Sequence, residues 1–303
     1  MQEPEQTCPI CQGKNLAVVF RVNGWENWTR DKTYQIYRCK DCAIVFTEKS
    51  EDDMEKFYSN GLYKQTRNRF HFLVEFVQIL FQLERLKKVK RVCISGKLLD
   101  IGCGKGRFLV HAARKGWDVY GVEPSLIGRN YSLSKGIRVF ASLDDLKGKK
   151  FDVITLWHVL EHVDQPVDLL LKIKQSMDEN TVLIISVPNF DSIQAKVTGT
   201  KWVHLDVPRH RIHYSPQTLE NVLCLAGYRV LETDHLSLEF NVIGFFQSLL
   251  NLFFSEPGII YRLIKREFNC KYGIIRCFLT MGMLVIVAAL ILPFSVLMTF
   301  LEY

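Results

Sequence analysis

Lys97-Leu-Leu-Asp-Ile-Gly-Cys-Gly-Lys-Gly-Arg-Phe-Leu109 runs from an apolar strand pattern (Leu98, Leu99, Ile101) into a glycine loop and then a helix. Glycines at 102, 104 and 106 leave no Cβ between backbone and ligand, so peptide N–H groups and a helix N-terminus can face a bound molecule closely. Alone, such a loop also serves plain tight turns. The next element decides the reading. Trp117-Asp-Val-Tyr-Gly-Val122 is a second strand that ends in Glu123, about 20 residues after the first glycine, where a carboxylate can accept both hydroxyls of a ribose. Loop and acid together specify a nucleoside-containing ligand.

Strand and helix alternate onward: strand 98–101, helix near 105–115, strand 117–122, a short helix near 125–134, strands 137–141 and 151–156, helix 164–177 and strand 181–187. This rhythm predicts an α/β fold, a mostly parallel Rossmann-like sheet with helices on both faces. Ligands then belong at the carboxyl ends of the strands, where segments ending at Cys103, Glu123, Ser142 and Trp157 line one pocket. Upstream, Phe70, Leu73, Val74, Val77, Leu80, Phe81 and Leu83 recur at helical spacing between about Gln65 and Val92. They predict one long amphipathic helix, packed on the sheet or lidding the pocket, with Tyr58 and Tyr63 just before it.

The chain has 303 residues, 48% of them hydrophobic, enough for one substantial core with small appendages. Four of its nine cysteines form two pairs, Cys8-Pro-Ile-Cys11 and Cys39-Lys-Asp-Cys42, with β-rich sequence between them. Four thiolates offered from two turns match tetrahedral zinc in a closed, structural shell, so residues 1–50 are expected to form a zinc ribbon. The scattered remainder suits a reducing compartment better than a disulfide framework. Polar Met1 to Thr7 opens the chain and no apolar h-region follows, so no secretory signal is expected.

Asp100-Ile-Gly-Cys-Gly-Lys-Gly106, Val122-Glu-Pro124, Phe151-Asp-Val-Ile-Thr-Leu-Trp-His-Val-Leu-Glu-His162 and Leu183-Ile-Ile-Ser-Val-Pro-Asn189 together carry a resemblance. Over about Lys97 to Leu231 the chain resembles class I S-adenosylmethionine-dependent methyltransferases, in the group that includes ubiquinone-biosynthesis O-methyltransferases. The loop reads G-x-G-x-G, where nicotinamide dehydrogenases prefer G-x-G-x-x-G. The resemblance implies a methyltransferase domain over 64–235 and S-adenosyl-L-methionine as cofactor. It places Gly102, Cys103 and Gly104 at the amino-acid end of the cofactor, with Asp100 fixing the loop. Glu123 and Pro124 fall at the ribose, and Ser142 and Leu143 at the adenine. Trp157 and His158 fall beside the sulfonium methyl, where a cation favours aromatic faces and carbonyl oxygens. His158, Glu161 and His162 stand at i, i+3, i+4 spacing, and quinone-pathway relatives place Glu, Glu, His there for a divalent ion. With imidazole in the first position, the favoured reading is hydrogen-bonded residues that cap the turn and close the pocket.

Trp202-Val-His-Leu-Asp-Val-Pro-Arg-His-Arg-Ile-His-Tyr-Ser215, after the fifth strand, is the expected acceptor segment, followed by a helix capped by Ser215-Pro216. His210 and His213 are the candidate general bases, with His158 nearby, Asp206 to orient a ring and Arg209 to grip an anionic group. Gly227 should end the helix and Tyr228 to Glu232 form a last strand. Asn241 to Phe254 is very apolar, with Gly244, Ser248, Asn251 and Ser255 on one stripe, suited to a membrane interface. Phe278 to Leu301 carries no charge and is long enough to cross a bilayer. Arg262, Lys265, Arg266, Lys271 and Arg276 before it would stay on the cytosolic side.

Residues 236–303 are thus expected to anchor the enzyme on the cytoplasmic face of a membrane, with lipid bilayer and a small amphiphilic or lipid-linked acceptor as partners. Truncation after Thr233 should then release a soluble protein that still binds cofactor. A formal charge of +7 does not by itself call for nucleic acid, which is not an expected partner. O-methylation is the favoured reaction. Sugar C-methylation, RNA methylation with the ribbon on RNA, and a non-catalytic scaffold are the alternatives, and steep salt dependence would mark RNA.

Overall fold

The structure, a computed structural model, describes residues 6–25, 29–49 and 71–253. Two sheets organise them. Strands β4 (Lys97–Ile101), β5 (Asp118–Val122), β6 (Arg138–Phe140), β7 (Phe151–Trp157) and β8 (Met177–Ser186) form a parallel sheet in the order β6-β5-β4-β7-β8. Chain direction across the sheet reverses at β4, so a crevice opens beyond its carboxyl end. Its central strands are apolar on both faces, as a covered parallel sheet requires, with Leu98, Leu99, Val153, Ile154 and Leu156 buried.

Helix α1 (His71–Val92) packs on α2 (Arg107–Ala113) through its carboxyl half, where Leu86 and Val89 are buried against Phe108 and Leu109. The apolar positions nearer its start behave differently from an ordinary core helix. Phe76, Ile79, Leu80 and Leu83 remain exposed, while Phe81, Arg85 and Lys88 line a groove beside β8. Helices α3 (Leu126–Leu133), α4 (Pro166–Lys174) and α5 (Ile193–Thr198) complete the alternation. Ser125 caps α3 by accepting from Gly128 N–H, and Pro166 opens α4.

The second sheet is antiparallel, in the order β1 (Leu16–Asn23), β2 (Thr33–Cys39), β3 (Val45–Thr47), β9 (Ile212–His213). The first three strands belong to the cysteine-bearing segment, whereas β9 lies in the expected acceptor segment. Cys8, Cys39, Ile44 and Phe46 share one hydrophobic cluster with Leu99, Ile101 and Leu156 of the parallel sheet. The N-terminal unit is therefore welded to the larger one.

Helix α6 (Pro216–Leu225) has its Ser215 capping box, and Gly227 follows at φ +74°. Tyr228 to Glu232 is not a strand. Lys88 draws the chain off the sheet edge just beyond it, donating to Asp234 Oδ2 at 2.7 Å and to the Leu236 carbonyl at 2.6 Å.

Helix α7 (Phe245–Phe253) also departs from expectation. Its polar stripe faces this domain: Val203 N–H donates to Ser248 Oγ at 2.9 Å, and Asn251 Nδ2 donates to the Lys201 carbonyl at 3.0 Å. A stripe satisfied by protein carbonyl and amide groups does not face a bilayer interface. Cutting after Thr233 would strip this helix, so a cut after Phe253 is the informative one. Among the described residues no helix is long and apolar enough to cross a membrane, and Phe278 to Leu301, like Tyr58 and Tyr63, lies outside them.

Candidate functional site

The glycine loop leaves β4 with Gly102, Gly104 and Gly106 at φ +69°, +54° and +64°, the left-handed region that disfavours any side chain. A Cβ on Gly102 would also lie 2.5 Å from Val159 Cγ2, so the loop sits tight against the segment that follows β7. Gly102 and Cys103 donate their N–H groups to the Val122 carbonyl at 2.7 and 3.1 Å, tying loop to neighbouring strand. Ser132 of α3 donates to the Gly104 carbonyl at 2.9 Å. Nothing in the spacing of the sequence singled this serine out.

Glu123 is buried at the end of β5. Its Oε2 accepts from Gly104 N–H and its Oε1 from Ser125 N–H, both at 2.8 Å. The acid therefore holds the loop. Arg129 donates to the carbonyls of Glu123 and Pro124 at 2.9 and 2.6 Å, which fixes that turn. Ser142, before Leu143, caps a single 3₁₀ turn, and Asp145 accepts from the N–H groups of Ala141 and Ser142 at 3.1 and 3.0 Å. Asp145 thus serves the turn itself.

Asp100 is buried and accepts from Thr155 Oγ1 at 2.7 Å. Burial pushes its carboxyl up to about 7, against that hydrogen bond and the Arg85 charge. A carboxyl raised in the folded protein favours folding in its protonated form, so this contribution is complete below its unfolded value and lost as pH climbs toward 7. A cationic ligand reverses the preference and takes the ionised form. Affinity for a cationic nucleoside should therefore rise from about pH 6 to a plateau above 7, and Asp100→Asn should flatten the profile, as measured by titration calorimetry.

Beyond β7 the chain turns sharply. Trp157 packs edge-on to Phe108 with the Arg85 guanidinium 5.4 Å from its ring centroid. His158 takes φ +57°, an unusual conformation for a residue with a Cβ. Its Nδ1 donates to Glu161 Oε1 at 3.2 Å, its Nε2 accepts from Ser186 Oγ at 3.2 Å, and its ring stacks on Phe240 with centroids 3.5 Å apart. His158, Ser186, Asn189, Trp202, His204 and Phe240 line a cavity of about 290 Å³. It adjoins a groove of about 1170 Å³ that shares His158, Ser186 and Phe240, and is lined further along by Phe81, Ile185, Leu219, Leu223, Val230 and Leu231. Both spaces lie on the β7–β8 side of the glycine loop.

Of the three histidines in the acceptor segment, His204 is the one that lines the cavity. Burial lowers it to about 4, so its ring is neutral near pH 7, and its Nε2 has no hydrogen-bond partner among the described residues. Gly244 makes room for it, since a Cβ there would lie 2.4 Å from that nitrogen.

His210 and His213 are placed elsewhere, and the expectation of a general base at either is corrected. Thr47 Oγ1 donates to the His210 carbonyl at 2.7 Å and accepts from His213 Nε2 at 3.0 Å, so both residues belong to the seam between the two sheets. Burial lowers His213 to about 3 and His210 well below the usual histidine value. Asp206 forms an ion pair with Arg209 and stands 3.8 Å from His210 Nε2, so Arg209 already has an anionic partner.

The paired cysteines meet as their spacing required. Cys8 Sγ and Cys42 Sγ lie 3.5 Å apart, as do Cys11 Sγ and Cys39 Sγ, and all four sulfurs fall within 4.8 Å of one another. Tetrahedral zinc with Zn–S near 2.3 Å places sulfurs about 3.8 Å apart. Gln12 and Ala43, each following a pair, take φ +60° and +62°, which turns backbone amides back toward the sulfurs. Burial raises the Cys8 thiol to about 11. The donor set fits a four-sulfur metal.

Residues 66–233 match the methyltransferase domain family. The ubiquinone biosynthesis O-methyltransferase of Azorhizobium caulinodans is 29% identical over 151 residues, 45% of this chain and 60% of that protein. The mitochondrial ubiquinone biosynthesis O-methyltransferase of Schizosaccharomyces pombe is 32% identical over 136 residues, 39% of this chain and 47% of its own length. The match thus spans only about half of these curated relatives. Among solved structures, magnesium protoporphyrin IX methyltransferase from Synechocystis PCC 6803 with bound SAH aligns at TM-score 0.46 and 18% identity, over 59% of this chain and 90% of that one. A SAM dependent methyltransferase from Archaeoglobus fulgidus aligns at TM-score 0.43 and 22% identity, over 58% and 90%. With more than half of the chain matched to one family, and its strands in a parallel sheet, the chain belongs to the class I S-adenosylmethionine-dependent methyltransferases.

Proposed function

We propose that the chain transfers a methyl group from S-adenosylmethionine to a hydroxyl on an amphiphilic, quinol-like ring. The observation that carries this reading is the pairing of a small polar cavity, with His158 and His204 in its wall, and a large groove rich in apolar side chains that opens from it. The ring head would occupy the first and an apolar tail the second. Gly102, Cys103 and Gly104 would hold the amino-acid end of the cofactor, Glu123 its ribose, and Ser142 and Leu143 its adenine. Trp157 and His158 would border its sulfonium methyl. When bound it supplies an electrophilic methyl carbon, and the chain's own part is to orient the acceptor oxygen in line and to take its proton. His204, neutral near pH 7 and in the wall of the cavity, is assigned the second task.

The test compares hydroxylated aromatic acceptors with and without a polyprenyl tail. The tailed acceptor should show a KM at least about tenfold lower, from the apolar area the groove buries, and Leu231→Asp, an exposed groove position, should erase that advantage. Equal KM values would remove the amphiphilic acceptor. His204→Ala should lower turnover by about 10²–10⁴-fold with cofactor affinity near wild type, and a drop below tenfold would return His204 to packing.

The four cysteines are assigned a structural zinc that takes no part in methyl transfer. Membrane residence is assigned to the segment beyond Phe253, on the strength of the uncharged run Phe278 to Leu301 and the basic residues before it. Full-length protein should sediment with membranes, and a chain ending at Phe253 should remain in the supernatant and bind cofactor. Full-length protein that stays in the supernatant without detergent defeats this assignment.

A further inference from the structure

We infer that Ser186, His158 and Glu161 form a nucleophile–base–acid relay that hydrolyses carboxylic esters, a second activity housed in the same cavity and independent of S-adenosylmethionine. Ser186 Oγ donates to His158 Nε2 at 3.2 Å, and His158 Nδ1 donates to Glu161 Oε1 at 3.2 Å. That is the order of a hydrolytic triad, hydroxyl to imidazole to carboxylate, with both contacts inside the reach such triads use. Triads are recognised by geometry and role, whatever the order of their members in the chain.

The fold presets the three groups. Ser186 closes β8 and Trp157, its register partner, closes β7, so nucleophile and base lie side by side at the carboxyl edge of the parallel sheet. His158 N–H donates to the Ser186 carbonyl at 2.9 Å, which ties the two residues through the backbone as well as the side chains. The left-handed φ of +57° at His158 leads into a 3₁₀ turn, Leu160–His162, that brings Glu161 back to the ring. Backbone strain of this kind persists only where the surroundings over-determine it, and it gathers at active sites. Here Phe240 stacks on the imidazole with ring centroids 3.5 Å apart, and Glu161 is 1% exposed, so neither base nor acid is free to swing.

Ester hydrolysis also needs donors for the charge that develops on the carbonyl oxygen. Val187 and Asn189 both line the cavity with Ser186. The Val187 N–H, the amide directly after the nucleophile, and Asn189 Nδ2 donate to no other group among the described residues. Asn189 Oδ1 accepts from Asp191 N–H at 2.9 Å, which fixes the side-chain amide. The polar cavity takes the alcohol part of an ester. The adjoining groove, which shares Ser186 and is lined by Ile185, Leu219, Leu223 and Leu231, takes an acyl chain. The substrate class is therefore an ester of a fatty acid.

The reaction balances with water alone. Ser186 Oγ bonds to the ester carbonyl carbon while its proton passes to His158 Nε2; the bond from that carbon to the alcohol oxygen then breaks, and the proton leaves with the alcohol. Water adds to the acyl-serine and gives a proton to His158, the bond to Oγ breaks, and the same proton restores the serine hydroxyl as the acid departs. Glu161 touches no reacting atom. It is a positioning residue, holding the imidazole tautomer and offsetting the imidazolium charge. The methyl acceptor and the ester compete for one cavity, but hydrolysis needs neither a methyl group nor the cofactor.

Full-length protein without S-adenosylmethionine, given p-nitrophenyl octanoate, p-nitrophenyl acetate and, separately, a fluorophosphonate probe, tests this. The octanoate should show the lower KM, and mass spectrometry should find the phosphonate on Ser186. Ser186→Ala and His158→Ala should each lower kcat by at least about 10³-fold. Glu161→Gln should lower kcat by about 10²–10⁴-fold while KM for the octanoate stays near wild type, a split that loosened packing would not give. A wild-type protein that melts cooperatively, yet hydrolyses neither ester above the buffer rate and takes no probe, overturns the inference. So does a probe found on another residue, or Ser186→Ala protein that hydrolyses at the wild-type rate. Protein that fails these tests but methylates an acceptor would leave the proposed function intact, whereas hydrolysis through Ser186 without affinity for S-adenosylmethionine would remove that function and keep this inference.

Discussion

Glu123→Ala should weaken S-adenosylmethionine binding by about 1–3 kcal/mol, roughly fivefold to more than a hundredfold, the cost of stranding the ribose hydroxyls. It also removes the acceptors of the Gly104 and Ser125 N–H groups, held at 2.8 Å, a cost that falls on the loop itself. Because Glu123 also shapes the glycine loop, Glu123→Gln is the useful companion. The amide keeps one acceptor oxygen, so it should lie between wild type and alanine. Calorimetric affinities equal to wild type in both variants would take Glu123 out of the site.

Cys39→Ser should cost several kcal/mol of stability and lower the thermal midpoint by on the order of 10 °C, because structural zinc binding is folding free energy. The damage should spread beyond the N-terminal unit. Cys39 is fully buried in a cluster that includes Leu99 and Ile101, and β3 is paired to β9 at Val45–His213 and Phe46–Ile212. Opening the ribbon therefore loosens the segment between Trp202 and Ser215, and cofactor binding should outlast acceptor binding as the metal is removed. A Cys39→Ser protein that melts with the wild type, or wild-type protein without zinc, would contradict the assignment.

The parallel sheet was legible because each strand is a short apolar run closed by glycine or a polar residue, and the glycine loop is local in sequence. The cysteine cluster was legible for a similar reason: spacing alone brings two pairs of thiols to two turns. What escaped were contacts between distant segments. Strand β9 has two residues, too few for any periodicity, and its partner lies more than 160 positions earlier, so His213 read as a free base when it is a seam residue. His204 was passed over because its value comes from Gly244 and Phe240, forty and thirty-six positions on. Tyr228 to Glu232 has the apolar content of a strand, but the hydrogen bonds from Lys88 to Asp234 and Leu236 decide its path. Helix α7 shows the same effect in reverse. Its polar stripe was visible, but only the structure says that the stripe meets Lys201 and Val203.

The central claim is that the crevice beyond β4 and β5 holds S-adenosylmethionine, and titration calorimetry of full-length protein against that cofactor tests it most directly. The expected result is saturable one-to-one binding in the micromolar range, about −8 kcal/mol, competed by S-adenosylhomocysteine. Protein that unfolds cooperatively on heating, and is therefore folded, yet shows no binding at millimolar cofactor would contradict the account.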